Sequence, residues 1–87
     1  MSGDDKIVCI RIKILELVEK RGPEMTCCPS EVVRVLFSDW RSEMDLCRRV
    51  AWDLEEEGRI EICQGGKPVK QPVAGPIRLR IKSQKCG

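Results

Sequence analysis

The stretch from Asp39 to Gly58, DWRSEMDLCRRVAWDLEEEG, constrains the fold of this chain more than any other. At about 100° per residue, Trp40, Met44, Leu46, Cys47, Val50, Ala51 and Leu54 gather on one side. Arg41, Asp45, Arg48, Arg49, Trp52, Glu55 and Glu56 gather on the other. The pattern predicts one long amphipathic helix over about 40–57. Ser38-Asp39 opens it as a cap, and Gly58 closes it in the left-handed conformation common after a helix. One apolar face demands a partner to pack against. The solvent face is basic in its first half, acidic in its last turn, and carries a tryptophan. Glu55, Glu56 and Glu57 crowd an end where the helix dipole disfavours negative charge.

Two further helices precede it. Residues 5–21, DKIVCIRIKILELVEKR, carry a stripe of Ile7, Ile10, Ile14, Leu17 and Val18. Val8, Ile12 and Leu15 form a second stripe beside it, wider than one small core needs. Either later strands cover that second stripe, or another subunit does. Asp4 or Asp5 is the expected cap, Lys20 and Arg21 suit the C-terminal dipole, and Gly22-Pro23 stops the helix. EMTCC at 24–28 is short and β-capable. Pro29 then opens a second helix over about 29–37, with Cys28, Thr26 or Ser30 as cap and Glu31 at the third helical position. Val32, Val33, Leu36 and Phe37 are its core candidates.

After Gly58 the period changes. RIEICQ at 59–64 alternates, with Ile60 and Ile62 on one face and Arg59, Glu61 and Cys63 on the other. PIRLRIK at 76–82 alternates again, with Ile77, Leu79 and Ile81 inward and Arg78, Arg80 and Lys82 outward. The Gly- and Pro-rich GGKPVKQPVAG between them reads as a loop. Two alternating strands joined this way form an antiparallel hairpin, in which Glu61 can pair with Arg78 or Arg80.

Eighty-seven residues make a single domain over 1–87 with a modest core. Two Trp, one Phe and no Tyr leave that core to aliphatic side chains. No apolar run approaches the roughly 20 residues of a membrane span. The polar start MSGDDK has no signal-peptide core, so a cytoplasmic protein without membrane contact is expected. Sixteen basic and fourteen acidic residues give a net charge of +2, so any nucleic-acid footprint must come from segregation rather than excess.

Helix, short strand, helix, longer helix and hairpin is the order of a winged helix, an α+β, mainly α fold with the hairpin as wing. The segments TCCPSEVVRVL, DWRSEM, RRVAWDLEEEGRIEICQGGKPV and GPIRLRI resemble a bacterial family of small winged-helix domains of unknown function. The resemblance spans about residues 7–82. It implies the fold and no activity.

Enzyme chemistry finds little support. With no His there is no His-based triad or His metal ligand. Six cysteines lack a C-x-x-C spacing, so no zinc site, other metal or cofactor is expected. Buried thiols are the simpler reading. Cys27–Cys28 stands beside a helix N-terminus, which would lower a thiol pKa and suit a redox pair. Gly65-Gly66-Lys67 lacks the upstream glycine and following helix of a phosphate-binding loop.

The non-enzymatic expectation is nucleic-acid binding, most plausibly duplex DNA. In a winged helix the third helix enters the major groove and its first turns read bases. Arg41, Ser42, Arg48 and Arg49 would lie there, with Asp45 among them. Arg41 and Arg48 stand two turns apart on one side. Lys67 and Lys70 on the wing, with Arg78 and Arg80 on the hairpin, would position the phosphate backbone. Ion pairs Arg41–Asp45 and Asp45–Arg49 would instead make the same face an ordinary solvated one. The competing class is a protein-interaction module anchored on Trp52, unless the wing loop folds over it. Val8, Ile12 and Leu15 would then serve as a homodimer seam.

Overall fold

The computed structural model describes residues 3–22, 24–73 and 75–82. The expected stop at Pro23, the tail after Lys82 and Cys86 lie outside them. Three helices come first: α1 (Gly3–Arg21), α2 (Pro29–Leu36) and α3 (Met44–Glu56). A 3-10 turn over Trp40–Glu43 leads into α3, so the predicted long helix is tighter in its first turn. Three strands follow, β1 (Ile60–Gln64), β2 (Lys67–Val69) and β3 (Arg78–Ile81), in the antiparallel order β2-β1-β3.

Local chemistry explains the boundaries. Asp4 and Asp5 lie inside the first turn of α1 rather than capping it, where their charge complements the dipole. Pro29 opens α2 at a position that needs no N–H. The Cys28 N–H donates to the Glu31 carboxylate at 3.1 Å, so Cys28 is the cap and Glu31 its third-position partner. Gly58, at φ 78°, ends α3 in a Schellman arrangement. Its N–H donates to the Glu55 carbonyl at 2.9 Å, and the Arg59 N–H to Leu54 at 3.0 Å.

The loop expected after residue 64 contains a strand. Gly65 and Gly66, at φ 60° and 83°, form the two-residue turn that lets Gln64 pair with Lys67. Pro68 falls on an edge strand, where a missing N–H is tolerated. β3 pairs with the other side of β1, Ile62 against Leu79 and Glu61 against Arg80. The short strand expected at 24–28 is a single bridge, in which Cys27 and Leu79 exchange backbone hydrogen bonds of 2.8 and 2.7 Å.

The core is aliphatic. Ile10, Ile14 and Val18 of α1 meet Val32 and Val33 of α2, Cys47, Val50 and Leu54 of α3, and Ile60, Ile62, Ile77 and Leu79 from the sheet side. Leu15 packs partly against this core, so only part of the second α1 stripe is covered. Val8 and Ile12 remain 52% exposed. Cys63, expected to point outward with Glu61, is buried. It lies on the central strand between Pro68 and Arg78, and a side chain this small is covered by its neighbours. No helix among the described residues is long and apolar enough to cross a membrane.

Candidate nucleic-acid interface

The basic residues read from the sequence divide into those already engaged and those with free charge. Arg48, on α3, is engaged. It donates to the Val73 carbonyl at 2.9 Å and the Gly75 carbonyl at 3.0 Å, and so ties the wing loop down onto the helix. Arg48, expected to reach base edges, thus has its guanidinium directed at the wing loop. Arg80 is bound to its cross-strand neighbour Glu61 at 2.7 Å. Arg78 donates to the Thr26 hydroxyl at 2.9 Å. Lys70 lies 3.6 Å from Glu55 while 70% exposed, a loose pair. Ser42 donates to the Asp39 carboxylate at 2.6 Å, so its hydroxyl serves the turn before α3.

Arg41, Arg49 and Lys67 are exposed and have no ion pair with any described residue. The helix pairs Arg41–Asp45 and Asp45–Arg49 are therefore absent among the described residues. Arg34, which the sequence did not single out, joins this set. Its guanidinium lies 4.5 Å from the Trp40 ring centroid, and that of Arg41 lies 4.7 Å from the same ring. Trp40 is half-buried and packs against the core, so one anchored ring holds two exposed cations at the turn between α2 and α3. The only sequence signal was the spacing of two arginines around a tryptophan. Helical periodicity places that tryptophan on the core face and says nothing of its exposed ring surface.

Trp52 is half-buried rather than open. It shares a cleft of about 590 Å³ with Arg49, Asp53, Glu56, Lys70 and Pro72, so the wing loop lies beside it. The acidic end of α3 is partly compensated. Arg11 of α1 holds both carboxylate oxygens of Glu57, and these hydrogen bonds keep the Glu57 carboxyl below the usual carboxylate range. Glu55 faces Lys70. The apparent conflict with the dipole is thus offset by tertiary partners.

Cys27 and Cys47 sit in the core. Burial pushes the Cys27 thiol up to about 11 and the Cys47 thiol up to about 12, opposite to the lowering expected of a helix N-terminus. Cys28 is half-buried and takes a hydrogen bond from the Ser30 hydroxyl at 3.2 Å. The five cysteines among the described residues are free. No group of three His, Cys, Asp or Glu among them could hold a metal ion.

Three helices followed by a three-stranded antiparallel sheet make this a mainly helical α+β domain of winged-helix-like form. The chain belongs to the family described as Protein of unknown function (DUF3253), whose model matches residues 9–82. No curated protein matches it.

Proposed function

We propose that this domain is not an enzyme but binds nucleic acid, in the first place duplex DNA, through the turn before α3, the exposed part of α3 and the wing. The observation that carries this reading is the pair Arg34 and Arg41 stacked on Trp40, both without a carboxylate partner among the described residues. In a helix-turn-helix this turn and the first residues of the third helix meet the duplex. Cations held by a ring lose less freedom on binding a phosphate than unrestrained side chains do. Arg49 extends the footprint along α3, and Lys67 beside the wing tip adds a second backbone contact. Arg48 is a positioning residue that fixes the wing. Arg80, spent on Glu61, contributes little.

A titration of a 30-base-pair duplex of mixed sequence, about 30 in length to cover several helical turns, tests this against salt. Affinity should fall linearly in log salt, with a slope near −0.9 per neutralised phosphate. Arg34→Glu with Arg41→Glu should abolish it, and Arg80→Gln should leave it intact. Absence of binding at low salt, or indifference to the double reversal, sinks the reading.

A further inference from the structure

The cleft between the second half of α3 and the wing loop combines an aromatic wall with charges of both signs. Its volume of about 590 Å³ suits a group the size of a small ligand. Arg49, Trp52 and Glu56 line it from one face of α3, at helical spacings of three and four residues. Arg49 and Glu56 stand about 10 Å apart along the axis, with the half-buried Trp52 between them. Exposed Pro72 lines the loop side. Arg48 holds the carbonyls of Val73 and Gly75, which keeps that loop in place beside the ring.

The charges in the cleft are not all available. Glu55 faces Lys70 at 3.6 Å, and Asp53 lies in the field of Arg11. Arg49 and Glu56 have no ion pair with any described residue. The cleft therefore offers one free cation and one free carboxylate at opposite ends of an aromatic ring. Trp40 carries two guanidinium groups, whereas no cation of a described residue lies over Trp52.

These groups restrict the occupant. A cation on the Trp52 ring would lie beside both Arg49 and Lys70. A negatively charged ring would lie beside Asp53 and Glu56. A neutral planar ring with one negative charge toward Arg49 and a hydrogen-bond donor toward Glu56 satisfies every group. A nucleobase with an exocyclic amine, joined through its sugar to a phosphodiester, has that form. Carboxylates accept from such amines, and every base has a face that stacks on an aromatic ring. A paired base is stacked and its amine engaged, so only an unpaired one can enter.

We propose that this cleft receives one unpaired amino-bearing base, cytosine or adenine, of a nucleic-acid strand. The ring lies on Trp52 beside Pro72, the exocyclic amine donates to Glu56, and Arg49 takes the adjoining phosphate. This rests on the nucleic-acid reading and narrows it to duplexes that present an unpaired base.

The test compares the fully paired duplex with the same duplex carrying one unpaired cytosine or one unpaired thymine. The cytosine form should bind about tenfold tighter than the paired duplex, the scale of one stacked base. It should also bind tighter than the thymine form, which presents an acceptor where cytosine presents its amine. Trp52→Ala should remove the advantage of the unpaired base, and Trp52→Phe should keep most of it. Glu56→Gln, on an exposed side chain, serves if Trp52→Ala fails to fold. Its amide can donate to thymine, so the preference for cytosine should vanish. Equimolar cytidine monophosphate should not displace the cytosine duplex, because it brings no flanking strand to Arg34 and Arg41.

Equal binding of the paired and cytosine forms overturns this proposal and leaves duplex binding standing. An advantage that survives both Trp52→Ala and Glu56→Gln overturns it too, since a flexible kink would then be its source. Displacement by the free nucleotide assigns the cleft to a small molecule instead. Failure of every duplex to bind at low salt overturns the nucleic-acid reading itself.

Discussion

Arg48 holds Val73: its guanidinium donates to that carbonyl at 2.9 Å, and a second donation to Gly75 at 3.0 Å completes a fork across the wing loop. The planar guanidinium suits two carbonyls side by side in a way an ammonium does not. This contact sets where the wing lies over α3, and with it the position of Pro72 beside Trp52.

Arg48→Met keeps much of the side-chain volume and removes the fork. It should cost about 1 kcal/mol in urea unfolding, since charged donors are replaced but solvent can reach the freed carbonyls. Hydrogen exchange should quicken in the wing loop over 70–77 and stay unchanged in α1. If the domain binds DNA, affinity should fall less than in the Arg34/Arg41 double reversal, because Arg48 acts through the loop.

The linkage between α1 and α2 predicts an acid-dependent stability. Arg21 donates to the Glu31 carboxylate at 2.7 Å and to the Thr26 carbonyl at 2.9 Å. The hydrogen bond from Arg21 holds the Glu31 carboxyl below its usual range, as the one from Arg11 does for Glu57. A carboxyl with a lowered folded pKa stabilises the fold above its unfolded value, about 4.3. That contribution is lost as pH falls through the folded pKa. Melting temperature should therefore drop between about pH 5 and pH 3. Glu31→Gln with Glu57→Gln should lower the plateau near neutrality and flatten the acid limb. A double variant with the parent's full acid slope would assign that slope elsewhere.

Thiol chemistry should separate the cysteines. Cys27 and Cys47 are buried and hold their protons to about 11 and about 12. The thiolate is the reactive form, so both should resist iodoacetamide at pH 8 in the folded chain. Half-buried Cys9 and Cys28 should be alkylated first, as peptide mass spectrometry would show. Denaturant should abolish the difference. Rapid folded-state labelling of Cys27 would contradict its burial and raised pKa.

What could be read from the chain follows from which physics leaves a mark in side-chain order. The 3.6-residue period located Ile10, Ile14 and Val18 on the inner face of α1, and the two-residue period located Ile60, Ile62 and Leu79 inside the sheet. Gly58 announced the end of α3 because few other residues adopt its backbone. β2 left a weaker mark, since three residues containing Pro68 show no alternation. The wing's docking left none: Arg48 binds backbone carbonyls, which every residue carries. Arg34 leaves no such mark, because its contact with Trp40 crosses the turn and does not follow from its own helix face.

Leu79 should be the most sensitive single position of the sheet. It is fully buried, pairs with Ile62 across β1, and exchanges both backbone hydrogen bonds with Cys27. Leu79→Ala opens a cavity where sheet and helices meet and should cost about 3 kcal/mol. In a domain this small that is a large share of the total stability. Chemical denaturation should show the midpoint shift without a change of slope.

The turn that creates β2 allows a sharper test, because cost and tolerance should differ between adjacent glycines. Gly65 and Gly66 stand at φ 60° and 83°, and a Cβ at either would meet nothing within 4 Å. Any penalty for substitution is therefore conformational and not steric. Asparagine visits the left-handed region far more readily than alanine, and Asn-Gly is a favoured pair for this two-residue turn. Gly65→Asn should leave stability within about 0.5 kcal/mol of the parent, the range of ordinary surface changes. Gly66→Ala forces a non-glycine residue to positive φ and should cost about 1–2 kcal/mol. The loss should be local first, because β2 is a three-residue edge strand held to β1 through this turn. Amide exchange at Lys67 and Val69 should quicken before that of the β1–β3 pair. If the two substitutions prove equally costly, the turn does not hold both glycines in the left-handed region and the register Gln64↔Lys67 is wrong.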